Sequence, residues 1–533
     1  MSLSSVLSSP AGALAELYSS GEHLSIDAFP STVSRHFADI FKNREDLDKI
    51  PTLDLQHPPR SFPNGSLVNF HAMIQDTSLS PDLYLATRNN GSCGGWGIAD
   101  DIPSEHDFNA VDYKNMRESS AFWAVSIPGI SPWCLGSSEV IADGVSLPMQ
   151  PHKYPCVEVP FIGAQLKIYD ETISQPLRTT DIASFVGILT SEFLQGNSMH
   201  DEAQFEVPTL HVLFSIPITS GNIARPLRVP LPETPISVIR EQLIDWIATE
   251  ALGGDKVAAE WVILASVSRT RSRQPPILPL SLTISSFPSH QTQPKSTPVL
   301  HKVLSQIFPL VSPLSLTLNV LNTTSFNAES KDEDLHAGRL QLPKKSILLL
   351  SEGAVSEGGI GNKGVLNIRA LQEVINSQTL DYIFPFNSFT FETDLNILIT
   401  TEGRKSTFFE TAINVPLKPH DAPESTAYLY KGLEDLKLPS TEQLLLFRQL
   451  IRDAQTDKIT VSETVGKYIE DDFIRERNES KTNEQSQTIT PDNLIQRMLV
   501  ARLRALSLHQ SEVTVADWES AKELERKTKS RTT

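Results

Sequence analysis

The sequence predicts a multidomain fold in which a mixed α+β part is followed by an α/β part, and three observations predict it. The chain has 533 residues, more than one hydrophobic core usually organises. Its apolar residues change period twice, from helical to alternating near residue 60 and to interleaved helices and strands after about residue 233. Prolines and polar runs fall at those changes, where chain breakers mark connections.

Four regions follow. Residues 1–55 form an N-terminal helical region: Ala11 to Tyr18 and Thr32 to Phe41 carry apolar residues at helical spacing. Pro51, Pro58, Pro59 and Pro63 break the pattern and mark a linker. Residues 56–230 form a β-rich domain. Ser66 to Ile74 alternates apolar and polar side chains, and Phe122–Ile127, Gln165–Tyr169, Ser184–Leu189 and Thr209–Ile216 are further strands. Short strands between polar loops predict a small β-barrel. The Gly-, Asn- and Asp-rich stretch near 89–117 is expected to be a flexible insertion.

Residues 231–435 alternate helix and apolar strand. Ile236–Leu252, Lys256–Val267, Pro298–Phe308 and Asn367–Ser377 are the helices. Leu280–Ile284, Leu314–Val320, Ser346–Leu350 and Leu395–Thr400 are the strands. That order implies an α/β layer around a largely parallel sheet. Tyr382, Phe384, Phe386, Phe389 and Phe391 alternate across a hairpin around Pro385 to Ser388, and core packing is their expected role. Residues 436–533 are helical. Thr490-Pro491-Asp492 starts one helix, with Leu494, Met498, Ala501 and Ala505 on one face. Thr514 to Asp517 is a capping box with Asp for Glu, flanked by Val513 and Trp518 as a hydrophobic staple. The basic tail Arg526 to Arg531 is expected to be a solvated end.

Composition narrows the function. Hydrophobic residues are 39% and charged residues 21%, as in ordinary soluble domains. No apolar run reaches the ~18 residues of a membrane helix, and Met1 to Leu17 lacks the basic start and apolar core of a signal peptide. An intracellular protein is expected, in which sequons such as Asn64-Gly65-Ser66 are idle. Cys93, Cys134 and Cys156 form no CxxC pair, and the thirteen histidines form no metal-ligand pair on a helical face, so no metal is expected. The formal net charge of −18 has the wrong sign for wrapping phosphate backbones.

Two motifs look like chemistry and are read otherwise. Gly359-Ile360-Gly361-Asn362-Lys363-Gly364 is a literal GxGxxG, but Ser351 to Ile360 separate it from the preceding strand, whereas a dinucleotide turn joins strand to helix directly. A mobile glycine loop is expected there. Gly91 to Trp96 has the look of a thiol-protease loop around Cys93, without a downstream His and Asn setting, and is read as a plain loop cysteine. The more informative finding is negative: no GxxxxGK[ST] phosphate loop occurs in the chain.

Several segments together resemble the MCM-binding protein family, in its fungal or plant-like branch. They are Val68 to Asp76, Leu252 to Glu260, Leu340-Gln341-Leu342-Pro343, Ile399 to Arg404 and Ile489 to Leu494, in one order over most of the chain. The C-terminal half is also similar, more distantly, to a minichromosome-maintenance (MCM) helicase subunit without its catalytic residues. His336 to Leu340 and then Ser346 to Glu352 resemble the Walker B strand and its lead-in. Glu352 matches the water-polarising Glu, but Ser351 stands for the magnesium-organising Asp, and a hydroxyl is a poor substitute near a divalent cation. Leu280–Ile284 falls where Walker A begins and runs into Ser285, Ser286, Phe287 and Pro288. Phe and Pro cannot give the backbone approach of glycine, and no Lys follows in register. Leu395 to Thr401 resembles the sensor-1 strand, with Thr or Glu for the family's Asn, and no Ser-Arg-Phe arginine finger follows. The last two helices look like the helical lid, and Phe62 to Ile216 resembles an OB-like barrel.

The resemblance implies a degenerate AAA+ (MCM-like) α/β domain and a non-catalytic partner of MCM helicase subunits, in the nucleus with the cytoplasm as an alternative, without cofactor, membrane association or strong nucleic-acid binding. Such a partner would act as an assembly chaperone or an unloading factor. Two rival classes stand beside it: an active AAA-type ATPase with an atypical phosphate loop, and an OB-fold single-stranded-DNA-binding protein. The missing Lys and Asp oppose the first, and the net charge of −18 the second.

Overall fold

A computed structural model describes residues 3–531 except 22–24, 89–90, 99–112, 136–149, 157–158, 194–205, 219–222, 224–233, 291–295, 333, 356–357, 421–425 and 483–489. The chain is a mixed α+β protein with several sheets. It opens with helices α1 (Leu3–Ser8), α2 (Pro10–Ser19), α3 (Phe29–Ile40) and α4 (Arg44–Leu47). Pro10 stands in the first turn of α2, where its missing N–H costs nothing. Val33, Phe37 and Phe41 keep helical spacing and are buried, and Phe41 stacks on Phe214 at 5.9 Å.

The β-rich part consists of β1 (Ser66–Asp76), β2 (Asp82–Leu85), β3 (Met116–Ser126), β4 (Gly163–Ile168), β5 (Ile182–Phe193) and β6 (Glu206–Pro217), with short helices α5 (Pro132–Leu135) and α6 (Glu171–Ser174). Pairing runs β1–β5–β6–β4–β3 and returns to β1, with β2 outside on β3. Among the described residues, β4 and β6 pair in parallel within this sheet and its other strand pairs are antiparallel. Alternation sets the faces: Val68, Phe70, Ala72 and Ile74 enter one cluster with Phe185 and Leu166, while Val186 and Ile188 face the N-terminal helices. Gly187 sits at a register shift where a Cβ would lie 2.3 Å from the His211 carbonyl oxygen.

The second half contains α7 (Ile236–Ala251), α8 (Lys256–Val267), β7 (Ser272–Arg273), β8 (Pro276–Ile277), β9 (Leu282–Ser285), α9 (Leu300–Ser305), β10 (Val311–Ser315), α10 (Leu318–Thr323), β11 (Ala328–Lys331), β12 (Asp334–His336) and β13 (Ile347–Ser351). It continues with α11 (Asn362–Ser377), β14 (Thr379–Ile383), β15 (Ser388–Glu392), β16 (Asn396–Thr400), β17 (Ile413–Pro416), α12 (Thr441–Thr456), α13 (Glu463–Thr482), α14 (Pro491–Ser507) and α15 (Val515–Lys529). Five strands form an all-parallel sheet in the order β10-β13-β16-β9-β17. A strand covered on both faces needs apolar side chains on both, which is why β13 reads Ile-Leu-Leu-Leu. Ile347 and Leu349 face the cluster of α7, α8 and the last four helices. Leu348 and Leu350 face α10, α11 and β14. No described helix is long and apolar enough to cross a membrane.

Several expectations are corrected. The strand expected over Leu314–Val320 stops at Ser315, because the Thr317 side chain accepts from Val320 N and starts α10. The insertion expected near 89–117 is packed over its described residues 91–98: Trp96 is buried, stacks on Tyr169 at 4.4 Å and donates to the Val212 carbonyl. Met116 and Arg117 already belong to β3, and 99–112 lie outside the described residues. The linker at Pro51 runs beside β1, with Asn69 N donating to Pro51 O and Leu53 N to Asn69 O. In the GxGxxG stretch, Asn362 to Gly364 form the first turn of α11, and the Asn322 side chain holds Gly359 O and Gly361 N. Phe386 is fully exposed and Phe389 is 52% exposed, whereas Tyr382 is buried, so the hairpin aromatics do not share one role. The basic tail is exposed at Arg526, Lys527 and Lys529, as expected, but its last residue is not: Arg531 bonds both oxygens of Asp255 and the Pro416 carbonyl.

The two halves meet at a polar joint. Gln341 donates to the Gln75 carbonyl at 2.7 Å, and Gln75 donates to the Leu335 carbonyl at 3.2 Å. Buried Lys153 lies 3.0 Å from Asp76 and also pairs with Asp334, which His152 reaches at 2.8 Å. The His152 and His336 rings lie 4.2 Å apart.

Candidate functional site at the carboxyl edge of the parallel sheet

Open parallel sheets bind ligands beyond the carboxyl ends of their strands, beside the point where strand order reverses. Here that edge is made by the residues after β9, β13 and β16, which are the segments singled out in the sequence. Ser285 closes β9, buried, its carbonyl accepting from Leu417 N. The next turn is folded onto the loop after β16. Ser286, at φ +52°, donates from N to Gly403 O at 2.9 Å, and Phe287 N donates to Thr401 O at 2.9 Å. Pro288 has no N–H, and its carbonyl accepts from the Tyr430 hydroxyl at 2.9 Å. Ser289 N donates to the Glu402 carboxylate at 2.8 Å. Phe287 is buried, its ring set edge-on to Tyr430. Burial pushes the Tyr430 phenol up to about 12, with the Glu402 charge adding to it.

A phosphate loop works because several backbone N–H groups point at the ligand unpartnered. In this turn the donors of Ser286, Phe287 and Ser289 are already taken by Gly403, Thr401 and Glu402, and Pro288 offers none. Glu352 is likewise engaged. It is buried, accepts from Ser406 Oγ at 2.5 Å and from Thr407 N at 3.0 Å, and its own N donates to Thr400 O. Ser351 is buried at the end of β13, where its carbonyl accepts from Leu316 N. The structure brings the two segments together, since Gly353 after Glu352 lies against Ser289. β16 stands between their strands, so the contact is made by the loops.

Cys93 is buried, and burial raises its thiol, opposite to what a nucleophile needs. A cleft of about 1260 Å³ lies between the two halves, lined by His71, Tyr154, Cys156, Ser312 and Asn319 among others. None of Ser285 to Pro288, Ser351 or Glu352 lines it. The joint at Gln75, Lys153, Asp334 and Gln341 was not singled out as a unit. Its signal was nevertheless present, because Val68–Asp76 and Leu340–Pro343 both carry the family resemblance and meet at Gln75 and Gln341.

The fold and this edge define a mixed α+β protein whose parallel sheet ends in loops that spend their donors on one another. The family model described as mini-chromosome maintenance replisome factor matches residues 37–153 and 145–532. The chain belongs to that family. A protein of Salmo salar named mini-chromosome maintenance complex-binding protein is 26% identical over 94% of this chain and 93% of its own length. Proteins of the same name from Danio rerio and Arabidopsis thaliana are 29% and 24% identical. Those matches cover 63% and 71% of this chain, and 53% and 64% of the relatives.

Proposed function

We propose that this chain is a nuclear binding partner of the MCM replicative helicase that associates with its subunits as a non-catalytic mimic, serving as assembly chaperone or unloading factor. The name borne by its relatives supports the partner. The all-parallel order β10-β13-β16-β9-β17 supports the reading of the second half as a degenerate AAA+ domain, in which β9 would take the Walker A place, β13 the Walker B place and β16 the sensor-1 place. The returning pairing of β1, β5, β6, β4 and β3 supports an OB-like barrel. The observation that carries the absence of a chemical step is the turn after β9, in which Ser286 N and Phe287 N are bonded to Gly403 and Thr401. A subunit-like face without an ATP site would hold unassembled subunits or compete at a ring interface without turnover.

Affinity capture of the tagged full-length protein from nuclear extract, with mass spectrometry, tests the partner. Recovery of most MCM subunits with one ring member depleted supports mimicry, and recovery of none in low salt withdraws it. Labelled ATP tests the mechanism: binding and hydrolysis that Glu352→Gln abolishes would restore the ATPase reading.

A further inference from the structure

The amino edge of the same sheet gathers cations that outnumber the acid beside them among the described residues. Arg269 and Arg271 lie in the connection from α8 to β9, Lys345 lies just before β13, and Arg502 projects from α14. Hydrogen bonds to Asp394 join the first two of these segments. Lys345 N donates to Asp394 O at 2.5 Å, and Thr270 donates to Asp394 Oδ1 from N at 3.0 Å and from Oγ1 at 2.9 Å. Arg271 meets the Asp457 carbonyl, just past the end of α12, with both terminal nitrogens at 3.3 Å. The Nε atoms of Arg269 and Arg502 are buried without a hydrogen-bond partner among the described residues. None of the four cations forms an ion pair within 4.0 Å among those residues. This is out of character for a chain of net charge −18: Asp394, also held by Thr270, is the acid that acts on Arg269, Arg271 and Lys345, one carboxylate against three cations.

Burial pushes the Arg269 guanidinium down to about 10, against the pull of Asp394 and helped by the Arg271 charge. Lys345 is lowered by burial and by Arg269, and Arg271 by burial and by Arg502. Arg269, Arg271 and Lys345 therefore share one field, with the Arg502 charge acting on Arg271, and like charges held together weigh on a fold until an anion neutralises them. Guanidinium forks match the tetrahedral oxygens of phosphate, and arginine clusters are a recurring means of reading phosphorylated side chains. We propose that this edge is a phosphate-group site that takes a phosphorylated serine or threonine side chain of a protein partner. A nucleic-acid strand fits it less well, since these four residues contribute no aromatic ring for stacking.

The test uses the full-length protein and a short fluorescent phosphoserine peptide. Its serine and glutamate counterparts, oligothymidylate and inorganic phosphate are the comparison probes. The phosphopeptide is expected to bind about tenfold or more tightly than the glutamate peptide, and to be displaced by inorganic phosphate. Arg269→Gln and Arg502→Gln should each weaken it about tenfold. Inorganic phosphate should also raise Tm above that in chloride of equal ionic strength, and the rise should vanish in the double variant. If Arg269→Gln does not fold, Arg271→Gln, at an exposed side chain, carries the same comparison. Equal binding of the glutamate peptide, tighter binding of oligothymidylate, unchanged binding by the variants, or no phosphate-specific response would each overturn the assignment.

Discussion

The Glu352 carboxylate stands at the end of β13 and accepts two hydrogen bonds from the turn at Ser406 and Thr407. Replacing it with Ala leaves a buried hydroxyl and a backbone N–H without acceptors, so Glu352→Ala should cost about 1–3 kcal/mol in urea unfolding and Glu352→Gln less. Its place at the strand end could be read from Ser346–Glu352, but its partners are more than fifty positions away and could not. Asp334 gives a pH prediction. Burial alone would raise its pKa, yet the hydrogen bonds and charges of His152 and Lys153 outweigh that and bring it from 3.8 down to about 2. A depressed folded pKa contributes stability that is present above the unfolded value and lost as pH falls through the folded one. Asp334→Asn should therefore lose about 1–2 kcal/mol near pH 7 after discounting for partial exposure, and flatten the stability loss between about pH 4 and pH 2. Urea midpoints of both proteins at several pH values in that window check it, and parallel slopes would refute it.

Elements separate residues that look alike in sequence. Along β14 and β15 the aromatics alternate, but only Tyr382 of the inward set is fully covered, while Phe386 lies in open solvent at the turn. Tyr382→Ala should cost about 3–5 kcal/mol, and Phe386→Ser should stay within about 0.5 kcal/mol. Comparable losses in thermal unfolding would mean that the hairpin tip is covered. The terminal helix is similar. Asp255 caps α8 by accepting from Val257 N and Ala258 N, and Arg531 grips the same carboxylate. Arg531→Ala should destabilise by about 1–3 kcal/mol, measured by urea unfolding, although a basic tail reads as solvated. The helix start at Thr490 and the capping box at Thr514 were legible because their signals lie within four residues, and in the structure Thr490 N reaches Asn493 and Thr514 N reaches Asp517. The turn at Thr317 was missed because the apolar run continues through it and gives no change of period.

At the scale of the whole molecule, Lys153 is the test of how the halves are coupled. It is fully buried between Asp76 of the β-rich half and Asp334 of the α/β half, with its ammonium 5.8 Å from the Trp123 ring centre. Removing one member of a buried charge set leaves the others uncompensated, so Lys153→Ala should cost about 3–5 kcal/mol. Because the loss falls at the joint, the variant should also unfold in two steps where the parent shows a tighter transition, as calorimetry would reveal. A single transition shifted without broadening would place the cost inside one half instead.

Local pattern was enough for α7, α8, α11 and α14, for the strands buried on both faces and for the missing GxxxxGK[ST] motif, because each rests on neighbours within a few residues. The sequence by itself also carried the family, through segments spread over the chain. Tertiary structure alone decided that Gln75 meets Gln341, that Arg531 returns to Asp255, and that the turn at Ser286–Phe287 spends its donors on Thr401 and Gly403. The physical reason is range. Period and capping are local, whereas which donors are left for a ligand depends on partners that the chain brings together only when its sheets close.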